Sequence, residues 1–297
     1  MKRVANMWNI KKTSFWLLGL LLTCASCSDP KEFEYNDDDY NTEERVIVNV
    51  TDPNGEEEAI TAGTKMAAYV MGDDGTYQLV MVEVGQDGSF VLPTSAQQIV
   101  AYSPVQEEWG IEAMTEPQLF TVLSDQTTEE NYEESDLMIG TMGLMRSTTT
   151  NMQFSHKLAK IVIHVMDETG ANDFEQCGIT LWNMNNSVWV DLSKQSVTTV
   201  EDEVADIKML PYSVTDHRIS LRAIVAPQTK KAGEQFIVFS NDEHGIRYSI
   251  PQDAELQGGK TYSFSMRLTE SGLVYEGSSI SDWQDEGEKE IDIKVTE

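Results

Sequence analysis

After an acidic amino-terminal region, the chain is a succession of short apolar runs separated by turn residues, and no stretch keeps a helical period for long. Residues 260–268 show this best, because Tyr262, Phe264, Met266 and Leu268 alternate with polar residues or Arg. Side chains on a strand point alternately to opposite faces, so this alternation is typical of an antiparallel strand that is buried on one face. The pattern as a whole predicts an all-β fold.

Turn residues between the apolar runs predict three hairpins. Each hairpin joins two runs through a short segment rich in Gly, Asn or Asp. The predicted pairs are 66–71 with 77–84, 180–182 with 188–190, and 235–239 with 246–250. Residues 161–166 are apolar at both parities, which places that strand inside a sandwich. Residues 125–136 hold six acidic and no basic residues and are predicted to be a surface loop.

A polar break divides the strands into two groups. It lies at residues 146–151, RSTTTN. The chain is long enough for two ordinary domains, and both groups have the strand rhythm of antiparallel sheets packed face to face. We therefore expect two tandem antiparallel β-sandwich domains, the first at residues 46–147 and the second at residues 148–297.

Residues 1–26 have the features of a bacterial lipoprotein signal peptide. Four basic residues precede an apolar run at 15–22, which is shorter than the roughly 20 residues that a spanning helix needs. Ala25 and Ser26 then supply small residues before Cys27. Cleavage before Cys27 would free its sulfur and amine for acylation, and multiple acyl chains give stable membrane anchoring. Cys27 is thus the predicted lipidation site, with an ordinary secretory signal cut nearby as the alternative.

The mature chain is predicted to be strongly acidic. The formal net charge of −29 becomes −33 when the four basic leader residues are removed. Such a field repels phosphate backbones, so we expect no nucleic acid partner. Residues 27–45 hold eight acidic and two basic residues without apolar periodicity, which predicts a solvated tether. Residues 37–39 lack the ligand spacing of a calcium loop, and no metal is assigned.

No catalytic constellation is visible in the sequence. Besides Cys27, cleavage would leave only Cys177, which excludes a disulfide framework or a cysteine metal site. His156 and His164 would lie about 26 Å apart along a strand, too far to share an ion. Nucleophile, phosphate-binding and zinc-protease motifs are absent from the sequence. We expect no enzyme and no cofactor, although a glycosidase-type carboxylate pair stays open because the fold sets the separation.

Three segments resemble the fimbrillin-like lipoproteins of Bacteroides-type bacteria. They are residues 136–141 (DLMIGT), 154–165 (FSHKLAKIVIHV) and 256–283 (LQGGKTYSFSMRLTESGLVYEGSSISDW). The resemblance covers most of the mature chain. It implies two transthyretin-like β-sandwiches, export as a lipoprotein to the outer membrane surface, and a role as a fimbrial subunit, tip or anchor in adhesion. The implied partners are other fimbrial subunits and a host or bacterial surface ligand or glycan.

The residues of these segments have packing roles. We expect Phe154, Leu158, Ile161 and Ile163 to enter the core of the second sandwich. Gly258 and Gly259 would allow a turn with positive φ before the next strand. Ile280 and Trp283 would fix the last ordered turn by burying apolar area.

The resemblance also implies assembly by strand exchange, with maturation by proteolysis after an arginine near the first domain. Arg45 lies where such a cut would fall. Because the residues before it lack strand character, cleavage would release the lipid without opening a groove, which favours an anchoring or capping member. The alternative is that Arg45 only begins a strand.

The carboxyl-terminal residues read as one more strand. Within residues 288–296, Ile291, Ile293 and Val295 alternate with charged residues, as in a strand that covers an exposed sheet edge. Such a strand either enters a partner or closes its own domain, and the sequence leaves both open.

A glycan-binding surface lipoprotein of a nutrient-uptake system is the alternative function, since it would share the signal, the tether and the sandwiches. Trp109, Trp182, Trp189 and Tyr212 could stack on sugar rings. In a β-rich protein, however, such residues more often belong to the core. A purely structural surface lipoprotein is the third reading.

Overall fold

The computed structural model describes residues 45–51, 60, 62–93, 97–143, 149–167, 174–240, 245–270 and 272–283. All of them lie within one compact unit, Thr42–Glu297. Strands make up nearly all of the regular structure, which confirms the all-β prediction.

The first half of the described chain contains eight strands and one short α-helix. The elements are β1 (Arg45–Thr51), β2 (Lys65–Met71), β3 (Tyr77–Glu83), β4 (Ser89–Pro93), β5 (Gln98–Ser103), β6 (Gln118–Thr121), α1 (Glu129–Glu134), β7 (Met138–Gly143) and β8 (Thr149–His156). Two 3₁₀ turns, Ile111–Met114 and Phe174–Gln176, complete the helical content of the described residues.

The second half of the described chain contains strands β9 to β21. They are β9 (Ala159–Met166), β10 (Gly178–Asn185), β11 (Ser187–Asp191), β12 (Ser196–Thr199), β13 (Val204–Lys208), β14 (Leu210–Thr215), β15 (Arg218–Val225), β16 (Gln228–Lys230), β17 (Gln235–Ser240), β18 (Gly245–Ser249), β19 (Ala254–Leu256), β20 (Lys260–Thr269) and β21 (Gly272–Asp282).

Most of the first half forms one seven-stranded sheet with the order β3-β2-β5-β7-β8-β1-β4. Strand β1 is an inner strand, antiparallel to β4 and parallel to β8. Strands β3 and β4 are therefore the two edges of this sheet.

The second half is divided among smaller sheets. A five-stranded sheet has the order β14-β15-β9-β20-β21, and a four-stranded sheet has the order β13-β10-β17-β18. Strands β12, β11 and β6 form a three-stranded sheet, and β16 pairs with β19. The predicted inner strand at residues 161–166 is confirmed, because β9 is central and its apolar residues of both parities are buried.

Two hydrophobic cores lie on opposite faces of β2 and β5. Ala67 and Tyr69 of β2 belong to a large core that extends into the second half of the chain. Met66 and Ala68, which point the other way, belong to a smaller core with residues of β4 and β8. Burial of both faces explains why β2 is apolar throughout its length after Lys65.

The first and third predicted hairpins are confirmed, and the second is wrong. Strands β2 and β3 pair, as do β17 and β18. Strand β10 instead pairs with β13 and β17, whereas β11 pairs with β12 and β6. The asparagine-rich segment carries the chain from one sheet to another, and Asn185 is held there by hydrogen bonds to Gln228, Val200 and Glu201.

The prediction of a surface loop at residues 125–136 is wrong in part, since α1 lies inside it. Thr128 caps this helix by accepting a hydrogen bond from the backbone N–H of Asn131. Gln126 is buried, and its side chain bonds both the N–H and the C=O of Ile224. Paired buried amides of this kind fix the segment against β15.

The boundary between the two proposed domains stays a prediction. Strand β8, which begins beyond residue 148, pairs with β1 and β7 in the seven-stranded sheet. Strand β6 pairs with β11 of the second half.

None of the helices in the described part of the chain has the length and apolar character that crossing a bilayer requires.

The packing roles predicted for the family-like segments are confirmed except at Phe154 and Ile280. Phe154, Leu158, Ile161 and Ile163 are buried, although Phe154 enters the smaller core and not that of the second half. Gly259 has φ +71°, as a left-handed turn requires.

Of the two residues expected to fix the last turn, only Trp283 does so. Trp283 is 2% exposed, whereas Ile280 is 65% exposed, so its predicted burial is wrong. Ile280 lies opposite Tyr262, but on β21, which is an edge strand of the five-stranded sheet.

Candidate assembly edge and surface aromatics

Most of the site residues predicted from sequence lie outside the described residues. These are Cys27, Ile291, Ile293 and Val295. Arg45 is the exception, because it is the first residue of β1, and its backbone pairs with that of Pro93.

The position of β1 bears on cleavage at Arg45. Residues on the carboxyl side of Arg45 form ladders with β4 on one side and β8 on the other. A protease that binds an extended substrate across Arg45 must first free these residues from both ladders. A cut after Arg45 would leave β1 within the sheet.

The two edges of the seven-stranded sheet meet at a corner formed by β3 and β4. Both strands come from consecutive parts of the chain and approach each other without forming a ladder. Within the described ranges, the outer side of each strand pairs with no other strand. Unpaired edges of this kind are the sites at which sheets accept an additional strand.

The side chains at this corner leave apolar surface exposed. Met81 of β3 is 57% exposed and Val91 of β4 is 47% exposed. Val80 and Val82 of β3 contact the smaller core but are only partly buried. Among the described residues, Val80 and Val82 thus leave the smaller core incompletely covered at this corner, whereas Met81 and Val91 point to the opposite face.

A tight turn joins β3 to β4 at the point where the two strands separate. The backbone N–H of Gly85 donates to the carbonyl of Ser89 at 2.7 Å, and that of Gly88 donates to Gly85. Gly88 has φ +72°, which favours glycine. Asp87 accepts hydrogen bonds from both the backbone N–H and the hydroxyl of Ser89. These bonds hold the start of β4 while the strands separate beyond it.

The two candidate histidines have separate structural roles. Nδ1 of His156 lies 2.8 Å from a carboxylate oxygen of Asp136, and its ring stacks on Trp283 with centroids 4.1 Å apart. Nδ1 of His164 lies 2.8 Å from the hydroxyl of Ser220. Burial, with a contribution from Arg218, lowers the pKa of His164 to about 4, so its ring is neutral at pH 7. The described residues contain no group of three His, Cys, Asp or Glu arranged to hold a metal ion.

A cleft of about 1,320 Å³ opens beside α1. Its acidic lining residues outnumber its basic ones, which are Lys65, Lys160 and Arg222. Arg222 bonds Glu129 and lies 4.5 Å over the ring of Tyr132, so it ties α1 to β15. The acidic lining disfavours anionic ligands.

The four aromatic residues considered for sugar stacking have different environments. Trp109 is buried against Tyr102, which rules out a surface role for it. Trp182 lies beneath the guanidinium of Arg247, and Tyr212 lies near that of Arg222. Trp189 is exposed on the outward face of the three-stranded sheet. The structure therefore leaves Trp189 as the accessible large aromatic of the four.

The fold defines an all-β protein built from several packed sheets, with one mixed seven-stranded sheet. The model of the fimbrillin-like family matches residues 36–283, and the chain belongs to this family. The resemblance seen in the sequence is thereby confirmed. Comparison with curated protein sequences gives no match.

Three solved structures from Bacteroides share the fold at low sequence identity. A candidate cell adhesion protein of Bacteroides uniformis has a TM-score of 0.62 and 15% identity over 82% of this chain and 99% of its own. One from Bacteroides ovatus has a TM-score of 0.61 and 14% identity over 82% and 98%. One from Bacteroides thetaiotaomicron has a TM-score of 0.51 and 16% identity over 81% and 100%.

Proposed function

We propose that this protein is a cell-surface fimbrial component that works in adhesion and assembles with other fimbrial subunits by strand addition. Membership of the fimbrillin-like family supports the fimbrial role. The observation that carries the assembly mode is the corner of β3 and β4, where the described part of the chain leaves two strand edges unpaired beside the partly buried Val80 and Val82.

Strand addition at this corner is physically reasonable. Each apolar side chain that is fully buried contributes about 1.5–3 kcal/mol, and each residue that is ordered costs about 1–2 kcal/mol. These terms nearly cancel for a short strand. Whether the strand binds therefore depends on the ladder hydrogen bonds that it forms and on the further burial of Val80 and Val82. An incoming strand with alternating apolar residues fits this need.

The chain carries a segment of the same kind at its own carboxyl terminus. Ile291, Ile293 and Val295 alternate with charged residues within residues 288–296. We propose that this segment is the strand that the protein donates to a partner, while the corner of β3 and β4 is where it receives one.

The place of Arg45 favours an anchoring or capping member over a stalk repeat. A cut after Arg45 would leave the inner strand β1 in its sheet, so this cut would not open a groove. Cleavage would then separate the folded part from its predicted tether without preparing a new strand site.

The double substitution Met81→Lys and Val91→Lys tests the assembly mode. Both side chains are exposed, so the monomer should keep its unfolding midpoint. Lysine on an edge strand opposes the addition of a further strand. We expect co-purification with other fimbrillin-like subunits, quantified by mass spectrometry from cross-linked cells, to fall at least about tenfold, which corresponds to about 1.4 kcal/mol.

Ile111→Lys is the matched control, since Ile111 is also exposed but lies in a 3₁₀ turn and not on a strand. It should leave co-purification unchanged. Equal yields from the double variant and the wild type would remove the corner from the assembly mechanism.

We propose further that acylated Cys27 anchors the protein in the outer membrane. The support is the leader pattern of residues 1–26 with small residues before Cys27. Mass spectrometry of the native amino terminus should find Cys27 as the first residue, carrying acyl groups. An unmodified amino terminus near residue 27 would instead indicate an ordinary secretory signal.

We propose that the protein acts by contact and performs no catalysis. The sequence has no nucleophile or metal-binding motif. His156 and His164, which were considered as a metal pair, instead contact Asp136 and Ser220. Membership of the fimbrillin-like family supports the same conclusion.

A further inference from the structure

The outward face of the three-stranded sheet presents a tryptophan to solvent. Trp189 is at the centre of the middle strand, β11, and is 47% exposed. Leu119 of β6 lies directly opposite on one side, and Thr198 of β12 lies directly opposite on the other. Both neighbours are also exposed.

Within β6, β11 and β12 the remaining positions around Trp189 are small or polar, and the apolar Pro117 and Val200 lie just beyond the ends of β6 and β12. Ser187 and Asp191 are its neighbours on the same face of β11, and Thr121 and Ser196 are the diagonal neighbours. None of these side chains is large enough to cover the indole ring. The ring therefore has an open face bordered by hydroxyl groups and one carboxylate.

The carboxylate is fixed in a charged form. The side chain of Lys194 donates to Asp191, and so does the hydroxyl of Ser193. These bonds lower the pKa of Asp191 to about 2, so it is a hydrogen-bond acceptor at pH 7.

The size of the patch limits what it can bind. Aromatic side chains bury 150–250 Å² at most, so the exposed parts of Trp189 and Leu119 form an apolar surface on the order of 200 Å². A stable protein interface needs about 800 Å² from each partner. The apolar patch alone is therefore far smaller than such an interface and is comparable in size with the face of a small ligand.

We propose that the Trp189 face binds a ring of a neutral glycan. The apolar C–H face of a hexopyranose would lie on the indole, while its rim hydroxyls would meet Thr198, Ser196 and Asp191. The formal net charge of −29 disfavours sialylated or sulfated sugars. This binding site is independent of the assembly corner and adds a ligand class to the proposed adhesive role.

One stacked ring gives weak binding. At roughly 0.3 kcal/mol of binding free energy per non-hydrogen atom, a single hexose is held with a Kd in the millimolar range. Multiple copies on one cell surface would raise the effective affinity through avidity.

The test uses the residues after Cys27 as a soluble protein, with maltohexaose, cellohexaose and β-1,4-mannohexaose as probes in saturation-transfer NMR and tryptophan fluorescence titrations. We expect at least one of the three to bind with a millimolar Kd. Trp189→Ala should weaken that binding at least about tenfold, whereas Trp189→Phe should retain most of it. The unfolding midpoint of each variant is measured to confirm folding.

Ile280→Ala is the control, because Ile280 is exposed on a different sheet and should not affect binding. Three results would overturn the inference. They are the absence of binding of all three probes at 20 mM, binding that persists in Trp189→Ala, and binding of 3′-sialyllactose in place of the neutral probes. Light scattering that shows a wild-type dimer and a monomeric Trp189→Ala would also overturn it, by assigning the face to a second copy.

Discussion

Replacing Trp283 with alanine is expected to lower the free energy of unfolding by about 3 kcal/mol. The ring is 2% exposed, and it stacks on His156 with an interplanar angle of 1°. Removing a buried Trp typically costs 3–5 kcal/mol, through lost transfer energy and the cavity that remains. We expect the lower end, because within the described part of the chain the indole N–H is buried without an acceptor and its removal recovers that cost.

Urea denaturation at pH 7 measures this change. Trp283→Phe should cost much less, since it keeps the stack on His156 and removes the unpaired N–H. Ile280→Ala, three residues earlier on β21, should stay within about 0.5 kcal/mol of the wild type because Ile280 is exposed. A loss below about 1 kcal/mol for Trp283→Ala would show that this residue does not fix the end of the sheet.

Gly258→Ala is the second substitution with a large expected effect. A Cβ at this position would collide with the backbone carbonyl oxygen of Lys157, which connects β8 to β9. The next residue is also constrained, because the N–H of Gly259 donates to the carbonyl of Leu158 at 2.7 Å. Overpacking against backbone atoms has little room to relax, so we expect a loss of about 2–3 kcal/mol in the free energy of unfolding.

Gly277→Ala, on β21, is the matched control. No atom lies within 4 Å of the position that its Cβ would occupy. We expect a change within about 0.5 kcal/mol, since its φ is not in the left-handed region. If the two alanine variants unfolded at the same urea concentration, close approach at Gly258 would not be a constraint on the fold.

The strands of this protein could be predicted where one face is buried. The alternation of Tyr262, Phe264, Met266 and Leu268 predicts the burial of these four side chains, and all four are buried. The same pattern does not reveal that β20 runs parallel to β9. Alternation shows which face of a strand is buried, but not the direction of the neighbouring strand. The second predicted hairpin was wrong for a related reason, since a turn-rich segment can also carry a chain between sheets.

The candidate site was less predictable than the strands. Trp189 lies between Val188 and Val190, so the apolar run gives no parity signal for which side chain is exposed. Trp109 has the same residue type but is buried against Tyr102. The corner of β3 and β4 could not be found from sequence, because strand order within a sheet depends on pairings between distant residues.

The placement of β1 determines how the protein would carry a mechanical load. A pull on the amino terminus would run along the axis of a strand that is bonded to β4 on one side and to β8 on the other. Both ladders would resist in shear, so their hydrogen bonds would share the force and would not open one after another. A surface protein held through its amino terminus in flowing liquid would thus be secured at the inside of its sheet and not at a strand that could peel away.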